Sequence, residues 1–131
     1  MRIYLVRHAE AAPGSPDALR PLTPQGRETA RRLGERLREE AAVDAVLTSP
    51  LLRAFQTGQA IAKAVGVPAE TTDLLAPGAT GSDLLAATRG RGQVVVAVAH
   101  QPDCGKIAAA LSDAPEPAFP PGGVVRLDWP A

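Results

Sequence analysis

Short apolar runs alternate along this chain with stretches in which apolar residues recur every three or four positions. Ile3-Tyr4-Leu5-Val6, Ala45-Val46-Leu47-Thr48 and Val94-Val95-Val96-Ala97-Val98-Ala99 are dominated by β-branched, branched or small residues, the pattern of strands buried on both faces. They predict strands over 2–8, 45–48 and 93–99. Val124-Val125-Arg126-Leu127-Asp128-Trp129 predicts a last strand over 124–129, and 69–73 reads as a short edge strand. Ala30, Leu33 and Leu37 mark a helix over 24–40, with Thr23 as its cap and Pro24 at the first helical position. Ala54, Gly58, Ile61, Ala62 and Val65 mark a second over 51–65, with Ser49 as cap, Pro50 in the first helical position and Gly66 as the stop. A short helix over 81–88 ends at Gly90-Arg91-Gly92, and Ile107, Ala108 and Leu111 line another over 102–112. Strands alternating with helices predict an α/β fold: a single-domain, three-layer α/β/α sandwich with a mainly parallel central sheet, residues 1–131 forming one domain. Strand order is not readable from this pattern.

Composition narrows the function. With 131 residues and 45% hydrophobic content the chain can bury a real core. Lys plus Arg and Asp plus Glu balance at 14 each, so there is no long-range positive field of a nucleic-acid binder. The arginines of 24–40 are dispersed among glutamates and read as a solvated face with intrahelical ion pairs. Aromatics amount to 3%, too few for base-stacking platforms. The single Cys104 excludes an internal disulfide, and no Cys/His cluster has zinc spacing, so no metal is expected. No signal-like or bilayer-length apolar run is present, so the expected setting is cytoplasmic, away from membranes.

The chemistry-bearing residues sit at strand ends. Arg7-His8 closes the first strand, and His100, the other of only two histidines, closes the strand over 93–99. In open α/β sheets ligands bind just beyond the carboxyl ends of the strands. Arg53 falls in the first turn of the helix behind strand 45–48, where free backbone N–H groups and the dipole favour an anion. Read from the residues alone, this is an anion pocket with imidazoles at its edge.

Taken together, Arg7-His8, Ser49-Pro50 with Arg53-Ala54 and Gln56-Thr57, His100, and Pro21-Leu22-Thr23-Pro24-Gln25-Gly26, similar to a Leu-Thr-x-x-Gly helix start, resemble the histidine phosphatase (phosphoglycerate mutase-like) superfamily. Within it, the short length, His100-Gln101-Pro102-Asp103 and Leu75-Ala76-Pro77-Gly78-Ala79 are most similar to the SixA-type phosphohistidine phosphatases. Residue 9 is Ala where the signature usually has Gly. The resemblance implies a metal-independent phosphatase without cofactor. His8 would be the nucleophile carrying a covalent phosphoryl group, and Arg7, Arg53 and His100 would grip its oxygens.

The family's usual general acid has no unambiguous counterpart; Glu10, Asp73 and Asp103 are the candidates, or none serves. An ester expels an alkoxide that needs a proton, whereas phosphohistidine expels an imidazole whose conjugate acid has a pKa near 6.5. A missing acid therefore favours a phosphohistidine-bearing protein as partner. The alternatives are a small phosphorylated metabolite, turned over by a phosphomonoesterase, and a phosphate-binding module without catalysis.

Overall fold

The computed structural model describes residues 1–130. Its strands are β1 (Arg2–Arg7), β2 (Ala45–Thr48), β3 (Ala69–Thr71), β4 (Val94–Ala99) and β5 (Val124–Asp128), and its helices α1 (Pro24–Glu40), α2 (Leu52–Val65), α3 (Gly81–Thr88) and α4 (Asp103–Ser112). Two single-turn 3-10 helices, Asp17–Leu19 and Asp73–Leu75, are additional to the expected elements. Three residues are too few for a periodic signal.

The strands form one sheet in the order β3-β2-β4-β1-β5. The β1–β4, β2–β4 and β2–β3 pairs are parallel, and only β5 runs antiparallel, beside β1. Side chains alternate across the pleat. Ile3 and Leu5 join Leu47, Val95 and Ala97 under α3 and α4, where Leu84, Ile107 and Phe119 complete one core. Tyr4 and Val6 join Val46, Val96 and Val98 on the other face, against Leu33 and Leu37 of α1 and Ile61 of α2. The expected three-layer sandwich with a mainly parallel sheet is the observed one. Among the described residues no helix is long and apolar enough to cross a membrane.

Helix α1 begins as expected: the Thr23 side chain accepts from the Gly26 N–H at 2.9 Å. Its solvent face carries the expected ion pairs, Arg31 with Glu28 and Glu35, Arg32 with Glu28, and Arg36 with Glu40. Helix α2 corrects the expectation. It starts at Leu52 after Leu51, so Ser49 is not its cap and Pro50 is not its first residue. The Ser49 oxygen is used elsewhere, accepting from the Leu51 N–H at 3.2 Å and meeting a histidine ring.

Candidate active site

The β1–β4 register pairs Arg7 with Ala99, so the residues that follow, His8 and His100, emerge side by side with ring centroids 5.3 Å apart. From there β1 leads to α1 on one face of the sheet and β4 to α4 on the other. Adjacent strands whose continuations part in this way open a crevice at their carboxyl ends.

His8 is held at both ends. Its backbone N–H donates to Ala99 O at 3.1 Å, and its Nδ1 lies 2.8 Å from Ala9 O. A carbonyl can only accept, so Nδ1 carries the proton and Nε2 keeps its lone pair. Burial, followed by the Arg53, Arg7 and Arg20 guanidiniums, lowers the His8 pKa against the opposing effect of the Ala9 bond. The ring is therefore a neutral imidazole with a nucleophilic Nε2 at neutral pH.

His100 is 4% exposed. Its Nε2 lies 2.7 Å from Ser49 Oγ, and Ser49, already accepting from Leu51, can donate its hydroxyl proton there, which leaves Nδ1 as the ring's donor. Burial first, then the neighbouring His8 ring and the Arg53 guanidinium, pushes the His100 pKa down to about 4. Arg7 Nη1 donates to Phe119 O at 2.9 Å. Among the described residues, two buried side-chain polar atoms have no hydrogen-bond partner: Arg7 Nε and His100 Nδ1. Leaving a buried donor unpaired costs about 1–3 kcal/mol, a cost that an acceptor reaching either atom would relieve.

Arg53 is the second residue of α2 and 8% exposed. Its Nη1 donates to Asp17 O at 2.9 Å and its Nη2 to Asp17 Oδ2 at 3.2 Å. Asp17 Oδ1 accepts from Arg20 Nη1 at 3.0 Å, and Arg20 Nε donates to Ala12 O at 2.8 Å. The Arg20 and then the Arg53 bond hold the Asp17 carboxyl below its ordinary range.

The remaining motif residues tie these parts together. Thr57 Oγ1 accepts from the Ala9 N–H at 3.0 Å and donates to Arg53 O at 2.8 Å, linking the His8 loop to the helix that carries Arg53. Gln56 Oε1 accepts from the Leu22 N–H at 2.8 Å. Gly26 lies against the Glu10 backbone, where a Cβ would collide with the Glu10 carbonyl. Ala9 is fully buried beside Leu22 and Ala30, so its methyl group is packed.

The structure sets His8 beside His100 and brings the Arg7 and Arg53 charges to bear on His8. Two of the acid candidates bond to other partners, and the third lies on a turn. Glu10 Oε1 accepts from the Thr23 hydroxyl, Asp103 Oδ2 accepts from the Gly78 N–H, and Asp73 opens a 3-10 turn. Asp17 and Arg20 were not singled out by sequence. Their signal is faint: a carboxylate three residues ahead of an arginine that abuts the Pro21-Leu22-Thr23 helix start. The Phe119 carbonyl had none, because a main-chain acceptor leaves no mark on residue identity. No group of three or more His, Cys, Asp or Glu side chains among the described residues is placed to hold a metal.

Residues 3–82 match the histidine phosphatase superfamily (branch 1). An uncharacterized protein of Picosynechococcus is 36% identical over 121 residues, 86% of this chain and 73% of that one. The phosphohistidine phosphatase SixA of Escherichia coli K12 is 31% identical over 119 residues, 85% of this chain and 74% of that one. The structure of the protein histidine phosphatase SixA complexed with tungstate superposes with a TM-score of 0.85 at 28% identity, covering 96% of this chain and 86% of that one.

Proposed function

This chain belongs to the histidine phosphatase superfamily and is a phosphatase; on that premise we propose that it removes the phosphoryl group from a phosphohistidine on a partner protein, through a covalent intermediate on His8. The observation that carries the reading is the pair of unpartnered buried atoms, Arg7 Nε and His100 Nδ1, beside the free Nε2 of His8. A phosphoryl group in the crevice gives both an acceptor and offers its phosphorus to the nucleophile. The tungstate held by the structural relative is an oxyanion of similar shape.

His8 Nε2 attacks phosphorus in line with the departing nitrogen. Charge on the three equatorial oxygens is met by Arg7, Arg53 and His100, already in place before the reaction, which is where such donors lower a barrier most. His100, its pKa lowered to about 4, is neutral at neutral pH, and a bound phosphoryl dianion favours its protonated form, adding charge where the transition state needs it. Water then attacks phospho-His8 and releases phosphate. The bonds of Glu10 to Thr23 and of Asp103 to the Gly78 N–H support a leaving group that needs little acid help, as protonated phosphohistidine does. The relative named for phosphohistidine supports the same substrate class.

Brief incubation with a labelled phosphohistidine peptide, quenched without acid, is expected to leave label on His8 in an acid-labile, base-stable bond. His8→Ala is expected to lose both label and turnover; a variant rate near the parent's would remove His8 as nucleophile. Faster turnover of alkyl phosphates than of the phosphohistidine peptide would turn the assignment to a small-metabolite phosphatase.

A further inference from the structure

Asp17 is the only acidic side chain, among the described residues, that bonds directly to a member of the Arg7, His8, Arg53 and His100 set. It lies on the 3-10 turn Asp17–Leu19, which packs against α2, and its side chain remains 64% exposed. A carboxylate has about four acceptor positions. Arg20 occupies one on Oδ1 and Arg53 one on Oδ2, which leaves acceptor capacity on an exposed carboxylate whose charge reaches His100. Flanked by two guanidiniums, it stays ionised at neutral pH. Such a group is a poor proton donor for an alkoxide and a good acceptor for a cation's N–H.

We propose that Asp17 is a specificity determinant for phosphohistidine: its carboxylate accepts a hydrogen bond from the ring nitrogen that does not carry phosphorus, and so holds the substrate ring in its protonated form. This inference rests on the phosphohistidine reading above and names the residue that selects that leaving group. The step balances without proton transfer to Asp17. His8 Nε2 supplies the electron pair of the new P–N bond, and the pair of the old P–N bond returns to the substrate ring. That ring already carries a proton on its other nitrogen and departs as neutral imidazole. Free imidazole rings lose that proton near pH 6.5, so the contact matters most above it. An alkyl or aryl ester has no N–H to offer and gains nothing from the same carboxylate. The charged groups facing Asp17 are Arg20 and Arg53, and its own charge acts in turn on His100.

The test compares kcat/KM for a phosphohistidine peptide and for nitrophenyl phosphate in the parent, Asp17→Asn and Asp17→Ala, across the pH range above and below the ring's free pKa. Asp17→Asn keeps an oxygen for Arg53 while removing the charge. The peptide-to-ester ratio is expected to fall at least about tenfold above that pKa, as loss of a charge-assisted bond implies. The alkaline fall-off of the peptide profile should also move to lower pH, with no matching move for the ester. Equal losses on both substrates would reduce Asp17 to a support for Arg53 and overturn the proposal, as would an unchanged ratio. A parent enzyme that fails to turn over the peptide would instead overturn the phosphohistidine reading itself.

Discussion

His100 combines near-complete burial with a ring nitrogen that has no partner, and both features act on stability. Its folded pKa of about 4 lies below the ordinary 6.5, so the unfolded chain binds the extra proton over that window. Stability is therefore fully present above about 6.5 and is lost as pH falls towards about 4, with a limiting slope of about 1.4 kcal/mol per pH unit from this residue. Urea titrations across that window are expected to show a shallower loss for His100→Gln than for the parent. Phosphate should act in the opposite sense, taking up a proton when it binds inside the window, measurable by calorimetry in buffers of different ionisation enthalpy. Arg53→Lys is expected to cost at least about tenfold in kcat/KM, because a point-charge ammonium cannot serve Asp17 and a phosphoryl oxygen with one planar fork. At this scale the sequence was most legible where position and chemistry coincide: Arg7, His8 and His100 end strands, and Arg53 opens a helix. Ser49 was misassigned because a hydroxyl behind a strand and before a proline reads as a cap, while the fold gives that oxygen to His100. The loop that ends at Asp17 is legible as a candidate border of the site, but the aspartate itself is not, because an exposed loop aspartate looks alike whether it is idle or held between two arginines.

The helices repeat this division between what periodicity carries and what contact decides. Helix α1 spans Pro24–Glu40, the range its apolar spacing predicts. Nothing in that spacing says how closely α1 approaches α2. Gly34 sets this distance: an added Cβ would stand 3.0 Å from both Ala60 O and Ala64 Cβ. Overpacking of this kind costs about 1–3 kcal/mol, so Gly34→Ala is expected to lower the urea midpoint while the activity of the folded fraction stays near the parent's. Gly26→Ala should behave differently. Its new methyl group meets the Glu10 backbone carbonyl, two residues beyond His8, and that carbonyl also accepts from the Thr23 N–H at 3.0 Å. A shift there displaces the loop that follows His8, so kcat should fall together with stability. Capping was only partly legible: Thr23 was read, whereas the reciprocal Thr80–Asp83 capping box of α3 emerged only with the backbone.

Across the whole molecule, the fold class followed from alternation and the strand order did not, because pairing partners are chosen over long sequence distances. The order has a functional result. β1, which ends at Arg7 and leads into His8, is flanked by β4 and by the lone antiparallel strand β5. The turn before β5 closes on the site: Gly122, with φ of 76°, donates its N–H to Arg7 O at 3.1 Å and His8 O at 3.0 Å, while Phe119 O accepts from the Arg7 side chain. A chain cut after Ser112 is expected to bind vanadate far more weakly than the parent, and a peptide of 114–131 added in trans should recover part of that binding. Two segments more than 110 residues apart in sequence thus meet to set Arg7 and His8. A substitution in the 119–123 turn therefore reaches Arg7 and His8 through the main chain, although none of its side chains needs to touch a ligand.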